Sequence, residues 1–416
     1  LLNPSTYKGI IPQGEGQTLT LSGQTNGRYY QAYSISFMDP WFGGKRPNTL
    51  SVSAYFSKQT DISSNYLSNN SYGYNPYYGY GGYPYYGGYG GYGYGYGYGY
   101  GYGNYGNYEL AYDPDKSIMM FGLSAGYGKR LNWPDDYFQF MATLNYQLYM
   151  MKDWDYFLVN NGNCHNINLE LNLQRNSIDN PLYTRKGSQF MFSVAATPPW
   201  SLWDGKDYKN MSDQDEAKFR MIEYHKWKFK AKIFSPLAPL TVKRTPVLMT
   251  RVEYGFLGSY NKYKKSPFET FYMGGDGMSG YSSTYATETI GLRGYENGSI
   301  AGNGGYNSYG YAYSRLSMEL RYPFLLEPSS TIYGLVFVEA GNAWRDLKDF
   351  NPFQLKRSAG VGVRIFLPMI GLMGIDWAYG FDRPDGYDQR GGSNFHFIIG
   401  QESVSYTHLT LPTKLE

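Results

Sequence analysis

The feature that most constrains the fold is a strict alternation of apolar and polar side chains in runs of about ten residues. In the clearest run Lys226, Lys228, Lys230 and Lys232 alternate with Trp227, Phe229, Ala231 and Ile233. Because successive side chains of a strand point to opposite faces, one face suits lipid and the other water. A soluble sandwich would have to cover the apolar face with a second sheet, and it would seldom carry four lysines in register.

The alternation predicts the direction of individual side chains, since one register assignment fixes the rest of a strand. We expect an outward direction for Trp227, Phe229, Leu169 and Leu171, and an inward direction for Lys228, Glu170 and Asn168. The four lysines are interpreted as a hydrated inner wall, balanced by acids such as Glu253 on the adjacent strand.

Runs of this kind predict fourteen strands, centred near residues 21, 34, 53, 123, 144, 171, 192, 229, 252, 317, 336, 362, 376 and 397. Short turns between them alternate with longer connections, notably 58–116, 199–222 and 261–310. This regularity is typical of a barrel whose short turns lie on the periplasmic side. The sequence therefore predicts an all-β fold, a transmembrane antiparallel β-barrel.

The composition gives no support to several other classes of protein. The chain has one cysteine and four scattered histidines, which offers no disulfide framework, no metal site and no nucleophile–histidine arrangement. The net charge of +3 is small, and the cations alternate with apolar residues instead of forming a block, so no nucleic-acid partner is expected. The longest apolar stretch, Ile365 to Ile375, is too short for a membrane-spanning helix. We expect no enzyme activity, catalytic residue or cofactor.

Two segments depart from the strand pattern. Residues 58–116 are predicted to form an extracellular loop that is rich in glycine and tyrosine, and we interpret its low-complexity part as a tolerated insertion rather than a specific adhesin. The last residues, 403–416, are polar and threonine-rich where a barrel chain normally stops. We interpret them as a non-native tail joined near Glu402.

Within the connection 261–310, the run Phe271-Tyr272-Met273-Gly274-Gly275 is followed by Gly291-Leu292-Arg293-Gly294-Tyr295. On the next two strands Glu319, Phe337 and Glu339 fall on the inward side of the alternation. An arginine in a narrow lumen needs carboxylate partners that offset its desolvation, and its planar fork can engage them in pairs.

This combination resembles the sixth extracellular loop of the BamA superfamily of outer-membrane assembly factors. The resemblance implies that the loop folds back into the lumen, and that Arg293 is anchored by Glu319, Glu339 or both, with Leu292, Gly294, Tyr295, Gly274 and Gly275 completing the motif. The spacing between Gly275 and Arg293 is longer than is usual in that family.

The resemblance extends over nearly the whole chain, including Asp39-Pro40-Trp41 and the segment Pro181 to Gly187. It implies that residues 1–402 are an N-terminally truncated barrel with about 14 of an expected 16 strands, preceded in the whole protein by periplasmic POTRA domains. One half of a lateral seam would be the closing strand, made of Asn394, Phe395, His396, Phe397, Ile398, Ile399 and Gly400.

The function implied is the folding and insertion of β-barrel proteins into the bacterial outer membrane through that seam. Partners would be unfolded outer-membrane protein clients, outer-membrane lipids and, through the POTRA domains, assembly lipoproteins. One alternative is a secretion or translocation pore of the same superfamily, a two-partner exporter or a TamA-like factor. Another is a passive porin or structural adhesin.

Overall fold

The computed structural model describes residues 16–26, 30–44, 48–62, 112–154, 159–213, 215–277, 286–300, 309–327, 330–368 and 371–399. Within these residues, fourteen strands form one sheet, and strands that are adjacent in the sheet pair antiparallel. These strands are β1 (Thr18–Asn26), β2 (Tyr30–Asp39), β3 (Asn48–Ile62), β4 (Tyr112–Arg130), β5 (Phe138–Lys152), β6 (Gly162–Asn176), β7 (Gly187–Ala196), β8 (His225–Pro236), β9 (Val247–Gly258), β12 (Ala312–Glu327), β13 (Ser330–Trp344), β14 (Lys356–Leu367), β15 (Gly371–Gly380) and β16 (Gly392–Ile399).

Two further strands, β10 (Thr270–Met273) and β11 (Ala286–Ile290), form a separate parallel pair inside the connection from β9 to β12. We call this connection, residues 259–311, the long loop. Because β10 and β11 leave the main ladder, β9 pairs directly with β12, with Arg315 opposite Glu253. The hydrogen-bonded order of the main sheet begins with β1 and ends with β16.

The predicted side-chain directions are confirmed. Trp227 is 43% exposed whereas the adjacent Lys228 is 6% exposed. The other outward residues of the prediction, Phe229, Leu169 and Leu171, are likewise exposed, and the inward residues Glu170 and Asn168 are buried. The outer face of the sheet is therefore apolar and uncovered, as in a barrel that faces lipid.

The fourteen predicted strands are all present. Two of the predicted connections, however, have limits or contents that differ from those in the structure. The strand β3 continues to Ile62 and β4 begins at Tyr112, so the ladder extends into both ends of the predicted loop 58–116. The predicted connection 261–310 contains two strands of its own. The rest of the glycine- and tyrosine-rich segment, residues 63–111, and the tail 403–416 lie outside the described residues. Among the described residues, no helix has the length and apolarity to cross a bilayer.

The inner side of the sheet is filled by side chains. One buried apolar cluster joins the long loop to neighbouring connections and includes Phe271, Met273, Leu292 and Tyr295. A second cluster contains Phe337 and Tyr183, a residue of the turn between β6 and β7 whose hydroxyl donates to the carbonyl of Thr245 at 2.9 Å. The long loop therefore lies on a packed inner surface.

Candidate functional site: a loop anchored on the inner face of the barrel

Glycines set the path of the long loop on its way to Arg293. Gly274 and Gly275 adopt φ angles of 132° and 71°, which side chains of L-residues rarely allow. A Cβ atom on Gly274 would lie 2.3 Å from the backbone oxygen of Glu296, and the Gly275 carbonyl accepts from the Leu292 amide at 3.0 Å. The two halves of the predicted motif are thus in direct contact, and Leu292 is fully buried.

Arg293 lies among three carboxylates on three different strands. Its Nη2 atom is 2.7 Å from Glu319 Oε1 on β12 and 2.7 Å from Glu339 Oε1 on β13. Its Nη1 atom is 2.9 Å from Asp376 Oδ2 on β15, and its backbone amide donates to Glu339 Oε2 at 2.9 Å. The prediction was a contact with Glu319, Glu339 or both; Arg293 contacts both, and Asp376 is an additional partner that was not predicted.

Phe337 supports the same guanidinium from one face. The Cζ atom of Arg293 lies 3.5 Å from the centre of the Phe337 ring, and both side chains are buried. A planar guanidinium can stack on an aromatic ring and still use its edge for hydrogen bonds, which an ammonium group cannot do. Phe337, which was predicted to face the lumen, therefore contacts Arg293 directly.

Each of the three acids also binds an arginine of the barrel wall. Arg321 Nη2 is 2.6 Å from Glu319, Arg315 Nη2 is 3.0 Å from Glu339, and Arg364 Nη1 is 2.5 Å from Asp376. The three acids that bind Arg293 are thus each paired with a wall arginine before Arg293 is counted. We call these seven side chains the Arg293 cluster. Arg293 is held by acids that already have partners, so its removal leaves no bare carboxylate.

The next two residues of the motif reach the strands near the end of the chain. Gly294, at φ 87°, donates its amide to His396 Nε2 on β16 at 2.9 Å. The Tyr295 hydroxyl donates to the carbonyl of Arg357 on β14 at 2.6 Å. Gly294 has no room for a side chain, because a Cβ atom would lie 2.9 Å from the nitrogen of Gly380. We call residues 292–295 the loop tip.

The closing strand lies where the sequence predicted it. Phe395 and Phe397 point outward and are exposed, His396 is buried, and Asn394 and Ile398 are half-buried. Ile399 is the last residue of β16 and pairs with Met373, while Gly400 lies outside the described residues. Of the predicted seam residues that the structure describes, 394–399, only His396 is in hydrogen-bond contact with the loop tip.

A second charged cluster holds the part of the long loop between Gly275 and Arg293. Glu288, on β11, is 3.2 Å from Lys226 Nζ, 3.3 Å from Lys228 Nζ and 3.0 Å from Lys230 Nζ. We call these four residues the Glu288 cluster. Burial opposes the ionisation of Glu288, but Lys228, Lys230 and Lys226 more than offset it, so the pKa of this carboxyl lies well below its ordinary value.

This arrangement corrects the interpretation of the lysines as a hydrated wall. Lys226 and Lys228 are 4% and 6% exposed, and they lie beneath the long loop with a carboxylate of that loop between them. Of the three lysines that contact Glu288, only Lys230 keeps substantial contact with solvent, with 31% of its side chain exposed. Glu288 was missed because it belongs to a segment without a strand-length alternation.

A family model described as the Omp85 superfamily domain matches residues 13–402. The chain belongs to the Omp85 superfamily. A search of curated proteins found no match. The superfamily comprises insertases and transporters whose barrels are bacterial outer-membrane proteins, and no covalent chemistry is attributed to them.

Among solved structures, the chain is similar to the crystal structure of BamA from Haemophilus ducreyi lacking POTRA domains 1–3, with a TM-score of 0.55 and 16% identity. That match covers 92% of this chain and 64% of the BamA chain. CdiB from Escherichia coli gives a TM-score of 0.47 at 10% identity over 88% of this chain and 52% of its own. CdiB from Acinetobacter baumannii gives 0.44 at 10% identity, over 92% and 52%. The likeness to BamA shows the barrel fold. The present chain spans less than two thirds of the length of that BamA chain.

Proposed function

We propose that this Omp85 chain is the membrane-embedded barrel of an outer-membrane insertase, which folds client β-barrels and releases them into the bilayer through a seam beside β16. The observation that carries the proposal is the docking of Arg293 on Glu319, Glu339 and Asp376. It ties a loop that lies on the inner face to strands on the C-terminal side of the barrel. No bond-making chemistry or nucleotide is required.

The proposed path of the client along the seam follows from the hydrogen-bonding groups at the edge of a sheet. A strand at the end of a sheet presents unpaired amides and carbonyls that can template an incoming strand by edge pairing. The strand β16 ends the hydrogen-bonded order of the main sheet, and its apolar outer residues Phe395 and Phe397 suit a lipid-facing position. A client strand would add at this edge, so that its backbone groups are satisfied before it enters lipid.

Partners and location follow from the same proposal. Unfolded outer-membrane proteins would be the clients, and outer-membrane lipids would surround the apolar outer face. Assembly lipoproteins would bind through POTRA domains that precede residues 1–402 in the whole protein. The protein would be integral to the bacterial outer membrane.

A secretion pore of the Omp85 superfamily is the second candidate. One observation favours it: charged side chains such as Arg251 and Glu253 face the inside of the barrel, where they could line the path of a polar substrate. For a pore, however, the long loop would have to leave the inner face, breaking both the Arg293 and the Glu288 clusters. The insertase needs only the edge of β16 that faces away from β15 to be free for pairing, and this leaves the Arg293 and Glu288 clusters in place.

The test is reconstitution of the full-length protein into lipid vesicles with a urea-unfolded eight-stranded barrel as client. An insertase should raise the rate of client folding well above that of empty vesicles, and Arg293→Ala should remove most of this gain. A secreted passenger presented in the same vesicles should not cross. Folding at the rate of empty vesicles, together with transport of the passenger, would replace the proposal by the pore.

A further inference from the structure

The loop tip contacts each of the last five strands of the barrel through a hydrogen bond. Arg293 reaches β12, β13 and β15 through carboxylates, and Tyr295 reaches β14 through a backbone carbonyl. The remaining strand, β16, is reached by the bond from the Gly294 amide to His396 Nε2 at 2.9 Å. The terminal strand is thus bound to the tip through an imidazole, whereas the other four strands are bound through carboxylates or a backbone carbonyl.

We propose that His396 is a positioning residue that couples the loop tip to the terminal strand, so that β16 cannot separate from the barrel without displacing the tip. This inference rests on the proposed function only for its consequence, the control of the seam. The coupling itself follows from the contacts of the Gly294 amide and does not depend on a client.

The bond requires a neutral imidazole with its proton on Nδ1, because Nε2 has to accept from an amide. His396 pairs with Asp376 across the two strands, and Asp376 is bound by Arg293 and Arg364. A carboxylate at position 396 would compete for those arginines, and an aliphatic residue would leave the buried Gly294 amide without an acceptor. A neutral acceptor on a side chain long enough to reach the tip is therefore what this position needs.

Close packing makes the bond a coupling rather than a loose contact. Gly294 lies against Gly380 and Gly391, where an added Cβ atom would come within 2.2 Å and 2.4 Å of the Gly294 oxygen. The tip therefore has little space to shift while β15 and β16 stay in place. By contrast, the Asn394 side chain bonds to the carbonyls of Gly391 and Gly392, within its own part of the chain.

The experiment compares His396→Leu with His396→Gln, which retains an acceptor, and with Phe397→Leu, an outward residue of the same strand, in the full-length protein in lipid nanodiscs. Amide hydrogen exchange is followed in β16 and in residues 291–295. We expect His396→Leu to accelerate exchange in both segments by roughly tenfold or more, since a buried donor loses its acceptor. His396→Gln should stay close to the unmodified protein, and Phe397→Leu should leave the tip unchanged.

A double variant separates coupling from simple packing. Arg293→Ala should accelerate exchange in β16 when His396 is present, and should add little in the His396→Leu background. Fully additive effects, or faster exchange in β16 with an unchanged tip, would overturn the proposal. If His396→Leu does not fold, the imidazole ¹⁵N shifts of the unmodified protein decide, because a protonated Nε2 at neutral pH is incompatible with the bond. Coupled exchange without client folding would reject the insertase and leave the coupling intact.

Discussion

Arg293 and Glu288 hold the same loop on the same inner wall with opposite arrangements of charge. Arg293 is one cation among three carboxylates that are spread over β12, β13 and β15. Glu288 is one anion among three ammonium groups that all belong to β8. The first cluster fixes the loop to several strands, whereas the second fixes it to a single strand.

The two clusters also differ in how the wall is balanced when the loop is absent. In the Arg293 cluster every acid already has a wall arginine, so the wall is neutral by itself. In the Glu288 cluster, removal of the loop withdraws a carboxylate from three adjacent lysines, which then repel one another. Arg293 can therefore be lost at little cost to the barrel, whereas the ladder around Glu288 depends on the loop for part of its compensation.

The largest effect is expected from Arg293→Ala. The change removes three charge-assisted bonds and the contact with Phe337, and we expect it to weaken docking of the loop by about 3 kcal/mol or more. Protease cleavage within the long loop should become faster and client folding should fall at least about tenfold. On a denaturing gel the unheated barrel should still migrate as a folded species, because the three wall pairs remain. A barrel that unfolds with the loop would contradict the distinction between loop and wall.

Loss of a single acid should have an intermediate effect, because Arg293 keeps two others. Both oxygens of Glu339 accept from Arg293, so Glu339→Gln replaces one of these two acceptors by an NH2 group. Only one oxygen of Glu319 accepts from Arg293, so Glu319→Gln can keep its remaining oxygen at that position. Cleavage of the loop should therefore accelerate more in Glu339→Gln than in Glu319→Gln, and less in either than in Arg293→Ala. Equal rates in the two variants would show that the backbone bond from Arg293 does not contribute.

Glu288→Gln tests the second cluster alone. The neutral amide leaves Lys226 and Lys228 buried without this carboxylate, and we expect the β10–β11 pair to be destabilised by about 2 kcal/mol. Hydrogen exchange should rise in residues 286–290 and stay unchanged at 292–295, where Arg293 holds the tip. Release of the tip as well would mean that the two clusters act as one.

Lys228→Ala should have a smaller effect than any of these changes. The variant loses one of three ion pairs with Glu288 but also relieves repulsion among the lysines of β8, so the two contributions largely offset each other. Client folding should remain within about twofold of the unmodified protein, far above that of Arg293→Ala. A loss as large as that of Arg293→Ala would make the ladder part of the mechanism.

The smallest change is expected from moderate acid. The pKa of Glu288 in the folded protein is depressed, so its stabilising contribution is present above the pKa of an unfolded glutamate, about 4.3, and is lost only as the pH falls through the lower folded value. The protection factors of residues 286–290, which correct amide exchange for its intrinsic pH dependence, should therefore stay nearly constant between about pH 8 and pH 5. A loss of protection within that range would show that the carboxyl is not ionised as the geometry requires.

The sequence by itself determined the parts of this protein that repeat. A period of two fixes the face of every strand residue, so the inward direction of Glu319, Glu339 and Lys228 could be predicted from their positions alone. Asp376 was accessible by the same logic, because it lies between outward Ile375 and Trp377 on a predicted strand. The contact of Arg293 with two glutamates followed from the family resemblance in combination with that alternation.

Only the tertiary structure decided which parts of the long loop contact which strands. The parallel pairing of β10 with β11, the burial of Glu288 among lysines far away in the chain, and the bond from Gly294 to His396 have no local signal in the sequence. The path of the loop depends on the space that the wall leaves and on where glycines such as Gly380 and Gly391 permit close approach. Alternation is a property of one strand, whereas these contacts depend on how distant segments share the interior of the barrel.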